Sequence, residues 1–342
     1  MGNCAVGIDI GGTNTKIIFY DGQKIAVKRS YKTETGGGID AAFSTVKRFF
    51  AENLVWGYLL QSKIAIGYST PGVWGEKDGR ETVLSNAPNL RWLENCDIIP
   101  MTQDKFGIFA CYGINDAKCQ IYGQVKFGSA KGGKVVVGLT LGTGIGGALI
   151  IGGKIFLGAN GHGGELGHAI IDFSPEARVC GCGNRGCLEA YAGTAGIIKT
   201  FWEEFSTFHG LGDVKLASRE VKVKDIFDLA MPDANKSSVS LASAVNPACL
   251  LTVIKTAEYL ARGLTPWLCL NPDVVVFDGQ IARDLPMLVP HITRWFQKNI
   301  SQKLTWENLP IVQSSDPEYS GAIGAAVYAL ARKNGEEVIM KF

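Results

Sequence analysis

No apolar stretch in these 342 residues reaches transmembrane length without a glycine, a proline or a charge interrupting it. That excludes a helical membrane protein. The chain has no basic block and no acidic tail, and its 34 Lys+Arg against 32 Asp+Glu leave a net charge of +2. Charge therefore gives no reason to expect nucleic acid or a disordered arm. No basic segment followed by a long apolar run opens the chain, so no secretory signal is read. Met1-Gly2-Asn3-Cys4 invites myristoylation, but Val6 stands where that pattern needs Ser or Thr. A disulfide framework is missing too. The nine cysteines are an odd count, and Cys4, Cys96, Cys111, Cys119, Cys249 and Cys269 are scattered. Such usage fits a reducing compartment, and a cytoplasmic protein is expected. The length exceeds one typical core and favours two domains.

The remaining cysteines are crowded together. Glu165-Leu166-Gly167-His168 is followed by eleven residues and then Cys180-Gly181-Cys182-Gly183-Asn184-Arg185-Gly186-Cys187-Leu188-Glu189. His168, Cys180, Cys182 and Cys187 make the His/Cys₃ ligand set of a closed zinc site. The plainer alternative is buried free thiols in a turn, but buried thiols favour apolar neighbours and these sit among Gly, Asn and Arg. Four protein ligands leave no open position, so the metal would be structural. Glu165 and Glu189 flank it, which suggests a knot that shapes a polar pocket.

Two glycine-rich turns recur in similar settings. Residues 6–20 and 137–151 each read as apolar strand, glycine turn, apolar strand. The echo predicts a duplicated α/β topology. Gly142-Thr143-Gly144-Ile145-Gly146-Gly147 matches the dinucleotide fingerprint, but a strand follows where that motif needs a helix. Gly128 to Lys134 resembles a P-loop, but Val135 replaces the Ser or Thr that holds magnesium. What survives is a pair of phosphate-cradling hairpins whose N–H groups line a nest. Thr13 and Thr143 add hydroxyls, and Asp9 in the first strand suits water-mediated Mg²⁺ binding. The ordinary alternative is two plain hairpin turns with Asp9 as a hydrogen-bond acceptor. Further strands are predicted near Lys24–Tyr31, Lys63–Tyr68 and Val274–Phe277. Helices are predicted near Ile39–Glu52, Ala248–Leu264 and Gly321–Lys333. The strand ending at Tyr68 runs into Ser69-Thr70-Pro71-Gly72, read as a turn. The segment 206–243 is mixed and polar and receives no assignment.

In order along the chain stand Asp9-Ile10-Gly11-Gly12-Thr13, Thr70-Pro71-Gly72, Asn86-Ala87-Pro88-Asn89-Leu90 with Trp92, and Asn115-Asp116-Ala117. The second glycine turn, Gly164 to His168, the cysteine cluster through Glu189, and Asn271-Pro272-Asp273 follow. Together these resemble the ROK family of bacterial sugar kinases and sugar-responsive repressors. The resemblance implies a two-domain actin-like (ribonuclease H-like) ATPase fold of the α/β class with a central cleft. It implies a small domain of residues 1–118 plus about 315–342, and a larger domain of 119–314 carrying the zinc loop. It implies ATP-dependent transfer of a phosphoryl group to a sugar hydroxyl, commonly the 6-hydroxyl of a hexose, with Mg²⁺ and a structural Zn²⁺.

By motif position Asp116 matches the catalytic base, a carboxylate that accepts the hydroxyl proton as the new bond forms. Asn89, Asn115, Asp116, Glu165, His168 and Glu189 match sugar-binding positions. Asp9, Gly11, Gly12, Thr13, Thr143, Gly144 and Gly279 form the nucleotide side. His168 would serve twice, with one ring nitrogen on zinc and the other on a sugar oxygen. Three positions depart from the pattern. Lys118 replaces a usual Asn and is expected to point to solvent, Gln124 replaces a usual Glu, and Asp278 replaces the first of two glycines.

Glucose leads as substrate, because the sugar motifs look most like those of family glucokinases. N-acetylmannosamine, N-acetylglucosamine and fructose are the alternatives. Family repressors carry an added DNA-binding segment before the first strand; here that strand is expected by about Ala5. The expected partners are a sugar and a nucleotide, with no nucleic acid and no membrane, and a homodimer by resemblance. A binding-only pseudokinase is the third reading. Trp92 is expected to stack on a sugar or pack, Tyr191 to pack a helix, and His162, His209 and His291 to be exposed or structural.

Overall fold

The computed structural model describes residues 4–53, 55, 57, 64–77, 80–85, 87, 90–209, 221–231, 246–301 and 306–340. In chain order the elements begin with β1 (Cys4–Ile10), β2 (Asn14–Tyr20), β3 (Ile25–Lys32), α1 (Gly38–Glu52), β4 (Ile64–Thr70), β5 (Val73–Lys77) and β6 (Arg80–Ser85). Next come α2 (Ile98–Phe106), β7 (Cys111–Asn115), α3 (Asp116–Phe127), β8 (Val135–Leu141), β9 (Ile145–Ile151) and β10 (Lys154–Phe156). Then follow α4 (Glu189–Ala192), α5 (Thr194–His209), α6 (Val223–Ala230), α7 (Pro247–Leu264), β11 (Val274–Asp278), α8 (Leu285–Asn299), β12 (Ile311–Gln313), α9 (Ser320–Lys333) and β13 (Ile339–Met340).

The duplicated topology is present. One sheet has the order β3-β2-β1-β4-β7, and the other β12-β11-β8-β9-β10-β13. In the first, β1, β2 and β3 form an antiparallel meander, while β4 adds parallel to β1 and β7 parallel to β4. In the second, β9 and β10 pair antiparallel and β11 and β12 pair parallel. The orders 3-2-1-4-7 and 10-9-8-11-12 are the same path walked twice. The glycine turns at 11–13 and 142–144 occupy the same place in each, the first hairpin of its sheet. No described helix is long and apolar enough to cross a membrane.

The chain divides into two compact units: Met1–Gly138 with Ala148–Gly164 and Ser314–Phe342, and Leu139–Gly147 with Glu165–Gln313. In the first, β1 and β4 are nearly all buried, as strands with both faces covered must be. One face packs on α1 through Phe43, Val46, Phe49 and Phe50, spaced for one helical stripe. The other packs on α9 through alanines, Ala5 and Ala65 meeting Ala322, Ala326 and Ala329. Glycine makes this approach possible. A Cβ on Gly7 would lie 1.8 Å from the Ala322 carbonyl oxygen, and one on Gly67 1.9 Å from that of Ala325. On the α3 side, a Cβ on Gly324 would lie 1.8 Å from the Cys119 carbonyl oxygen. In the second unit, α7 starts at an Asn246 cap that accepts the Cys249 N–H, with Pro247 pre-set for the first turn.

Strand β4 runs two residues beyond its predicted end. Ser69 and Thr70 stay in the sheet because β4 is flanked on both sides, Ser69 lying opposite Asp9 and Ile114, and Thr70 opposite Asn115. The turn chemistry of Pro71-Gly72 acts only afterwards, with Gly72 at φ 101°.

Candidate functional site

In a parallel sheet, ligands bind beyond the carboxyl ends of the strands. In the first unit that edge gathers most of its candidate residues. Asp9 lies one residue before the end of β1, Ser69 and Thr70 end β4, and Asn115 and Asp116 follow at the end of β7. The half-buried Asp9 is fixed by the Ser69 hydroxyl, which donates to its Oδ1 at 2.6 Å. Gly321 makes room for it, since a Cβ there would lie 2.6 Å from the Asp9 Cγ. Neither Ser69 nor Gly321 was singled out by sequence. The available signal was the register that sets Ser69 beside Asp9.

Asn115 caps α3. Its Oδ1 accepts the Lys118 N–H at 3.2 Å, and its Nδ2 donates to the Gly72 carbonyl at 3.1 Å. An amide carries two N–H donors and two lone pairs. The turn at Gly72 and the helix start are thereby tied together. Asp116 opens the helix, where negative charge is favoured by the backbone dipoles, and its Oδ1 accepts the Ala117 N–H at 2.8 Å. Strands lie about 4.8 Å apart, so β1 and β7, two places apart, set Asp9 roughly 10 Å from Ile114, the residue in its register on β7, and Asp116 follows two residues further on. Asn89 lies outside the described residues. The first glycine turn closes with Gly11 N–H donating to the Asn14 carbonyl at 3.0 Å, and Gly12 and Thr13 stand exposed.

Lys118 does not point to solvent; it is 1 % exposed. Helix α3 is buried nearly all round, from Ala117 to Val125, so a position two past Asp116 has no solvent side. Gln124 uses both ends of its amide. Nε2 donates to the Ser315 carbonyl at 3.0 Å, and Oε1 accepts from the N–H groups of Ser129 and Ser315 at 3.1 and 2.9 Å. A glutamate could accept there but not donate, which accounts for Gln at this position.

In the second unit the His/Cys₃ set converges. The ligand atoms of His168, Cys180, Cys182 and Cys187 all lie within 4.8 Å of one another. Cys182 and Cys187 sulfurs are 3.7 Å apart, and Cys180 Sγ is 3.8 Å from His168 Nδ1. Tetrahedral zinc with Zn–S of 2.3 Å and Zn–N near 2.05 Å gives edges of about 3.8 and 3.6 Å. A disulfide would need about 2.05 Å. The residues fit the metal. Burial pushes the Cys180 thiol up to about 12 and also raises that of Cys187. Burial acts the same way on Cys182, but the Asn184 N–H and the two neighbouring thiols outweigh it and lower the value.

The loop has a brace that sequence reading missed. Arg178 stacks on the Tyr191 ring at 4.6 Å and reaches the Ala190 and Gly196 carbonyls, Thr200 and Glu203. The Tyr191 hydroxyl accepts the Arg178 N–H and donates to Asp172. Tyr191 thus does more than pack a helix.

The second glycine turn is part of the same structure. Glu189 accepts the Ile145 N–H through Oε2 at 2.8 Å, and its Oε1 lies 3.5 Å from Cys180 Sγ. Thr194 donates to the Gly142 carbonyl from both its N–H and its hydroxyl. Glu165 and His168 are half-buried at the two ends of one short 3₁₀ turn, Thr143 is exposed, and Gly279 (φ 93°) packs on the Leu141 backbone, where a Cβ would lie 2.3 Å from the carbonyl oxygen. Asp278 is fully buried at the end of β11, and one of its oxygens accepts the Gly279 N–H. Trp92 packs against the first unit's core, His162 is exposed, His291 is half-buried, and the His209 side chain lies outside the described residues.

A twice-walked α/β topology, with glycine turns in the first hairpin of each sheet and a converged His/Cys₃ set, defines an actin-like (ribonuclease H-like) α/β fold. The ROK family profile matches residues 5–332, and the chain belongs to that family. It is 29 % identical over 285 residues to the glucokinase of Thermotoga maritima, covering 81 % of this chain and 82 % of that one. It is 28 % identical over 250 residues to the xylose repressor of Bacillus spizizenii, covering 72 % of this chain and 56 % of the repressor. The chain thus spans little more than half the repressor's length. Among solved structures, the ROK hexokinase of Thermus thermophilus matches with a TM-score of 0.72 at 26 % identity, over 97 % of this chain and 99 % of that one. The two-domain actin-like ATPase fold is that of these relatives.

Proposed function

We propose that the protein is a cytoplasmic, ATP-dependent hexose kinase that phosphorylates the 6-hydroxyl of its sugar, with glucose as first choice. N-acetylmannosamine, N-acetylglucosamine or fructose is the alternative substrate. The observation that carries this reading is the pair of carboxylates at one sheet edge, Asp9 fixed by Ser69 and Asp116 fixed at the capped start of α3. Two anchored carboxylates about two strands apart suit the two demands of phosphoryl transfer. One holds the metal side of the phosphates and the other takes the hydroxyl proton.

On this reading Asp9 holds Mg²⁺ through water, and the turns at 11–13 and 142–144 supply N–H donors to the phosphates. Gly279, at the end of β11, belongs to the nucleotide side. Asn89, Asn115, Glu165, His168 and Glu189 bind sugar hydroxyls, which both donate and accept; the carboxylates accept, the ring N–H donates and the amides do either. Zinc, when bound by His168 and the three cysteines, supplies fixed geometry and no chemistry. The functional domains are residues 1–118 with about 315–342, and 119–314, in a homodimer.

The test is ADP release from Mg-ATP across a panel of hexoses and N-acetylhexosamines, with Asp116→Asn as the blank. Turnover on one sugar that Asp116→Asn lowers at least 100-fold, an effect of the size general bases give, supports the kinase and names its substrate. Sugar binding by thermal shift without turnover on any sugar rejects it in favour of a regulator, the role of the repressor relatives.

A further inference from the structure

Thr194 holds the Gly142 end of the second glycine turn, and the Ile145 end is held from the two ends of the metal-ligand run. On one side, Gly167 presses its backbone against Ile145; a Cβ on Gly167 would lie 1.8 Å from the Ile145 carbonyl oxygen. The next residue is the ligand His168. On the other side, Glu189 holds the Ile145 N–H at 2.8 Å and stands two residues after the ligand Cys187. Gly144 leaves room for that carboxylate, since a Cβ there would lie 2.3 Å from Glu189 Oε2. The other carboxylate oxygen faces the ligand Cys180. Ile145 is therefore gripped from both sides, on its carbonyl and on its N–H, by residues adjoining metal ligands.

We infer that Glu189 is a positioning residue through which the metal site sets the conformation of the turn 142–145, so that metal occupancy and nucleotide affinity are coupled. Binding a metal fixes His168 relative to Cys187, and with them the separation of Gly167 and Glu189. The grip on Ile145 tightens, and the N–H groups of the turn are held in place for an anion. Losing the metal lets the two supports part. By linkage, nucleotide must then raise metal affinity by the same factor that metal raises nucleotide affinity. The nucleotide half rests on the kinase reading; the metal-to-turn half does not.

The experiment separates the two. Backbone amide exchange at Ile145 is measured by NMR on the zinc-loaded protein, on the chelated protein, and on zinc-loaded and chelated Glu189→Ala and Glu189→Gln. A lost carboxylate hydrogen bond corresponds to about a tenfold or larger change in opening. Chelation should therefore speed exchange at Ile145 about tenfold or more in the wild type. Glu189→Ala should show the fast rate with zinc still bound, and chelation should add little. Glu189→Gln, which retains an acceptor oxygen, should restore most of the metal sensitivity. Gly144→Ala, which pushes the carboxylate away without touching a ligand, should behave like Glu189→Ala and serves if that variant fails to fold. Exchange at Ile145 that ignores chelation, or that responds equally in wild type and both disruptive variants, overturns the inference. In parallel, the Kd of a non-hydrolysable ATP analogue is measured with and without zinc. Weakening of about tenfold on chelation, absent in Glu189→Ala, supports the coupling, and equal affinity overturns it. No nucleotide binding in any form rejects the kinase reading and the nucleotide half with it, while the exchange result still decides the metal-to-turn half.

Discussion

Gly321→Ala should cost catalysis more than it costs stability. Gly321 lies in the first turn of α9, and the atom added would stand 2.6 Å from both Cγ and Oδ1 of Asp9 and 2.8 Å from Oδ2. Ordinary contacts fall near 3.5 Å, so relief takes a shift of about 0.9 Å. The helix backbone is pinned by the glycine seats at Gly7 and Gly67, so the carboxylate is the part that moves. Moving it breaks the 2.6 Å bond from Ser69. A displacement near 1 Å in a positioned group costs about 100-fold in rate, or about 2.7 kcal/mol of transition-state stabilisation. Stability changes less. Ala for Gly in a helix adds about 1 kcal/mol, and local overpacking removes about 1–3 kcal/mol, leaving a net loss of about 0–2 kcal/mol. The assay is ADP release at a series of magnesium concentrations, with urea unfolding beside it. The expected result is kcat/KM down about 100-fold, a higher magnesium requirement and a loss of unfolding free energy of no more than about 2 kcal/mol. A variant within about threefold of wild type at every magnesium concentration would refute the placement of Asp9 in the phosphate machinery.

Three further outcomes are expected. Cys182→Ser removes an exposed ligand from the His/Cys₃ set, so bound zinc, measured by elemental analysis, should fall from about one per chain to near zero, and sugar affinity should weaken; full zinc retention would refute the ligand assignment. Gly67→Ala sets a Cβ 1.9 Å from the Ala325 carbonyl oxygen, which backbone cannot relieve, so urea unfolding should show a loss of about 3 kcal/mol or more. His291 has its pKa lowered by burial and then by Arg294, against Glu258. The unfolded chain binds that proton more readily, so this contribution to stability is full above about pH 6.5 and declines as pH falls below it. His291→Asn should flatten the slope of unfolding midpoint between pH 7.5 and 5.5.

Local chemistry was legible and tertiary chemistry was not. The cysteine cluster could be read because ligand spacing lies within one loop, and its four side chains do converge. The helix at 38–52 follows from apolar periodicity and that at 320–333 from its alanine richness, and these and the helix at 247–264 sit within a residue of expectation. The duplicated sheet was visible in two short echoes because each glycine turn starts the same meander. By contrast, the sequence alone makes Lys118 solvent-facing, as a lysine in a helix usually is. Its burial depends on the elements that close over α3, one of them the last helix of the chain, about 190 residues away. The hold of Glu189 on Ile145 spans 44 positions. It is not legible because a glutamate opening a helix is equally an ordinary first-turn acid. Ser69 reads as turn in the sequence because Pro71-Gly72 dominates locally, while pairing on both sides of β4 keeps it strand.

The glycine seats beneath α9 also set a timetable for synthesis. β1, β4 and α3 lie in the first 127 residues, and the helix that covers them begins at Ser320. At ribosomal speeds of roughly 5–20 residues per second, the gap takes roughly 10–40 s to translate. Through that interval the alanine and glycine face of β1 and β4 has no lid of its own and is a natural ward for chaperones. The first unit is begun early and finished last, so a nascent chain stalled before Ser320 carries that face uncovered.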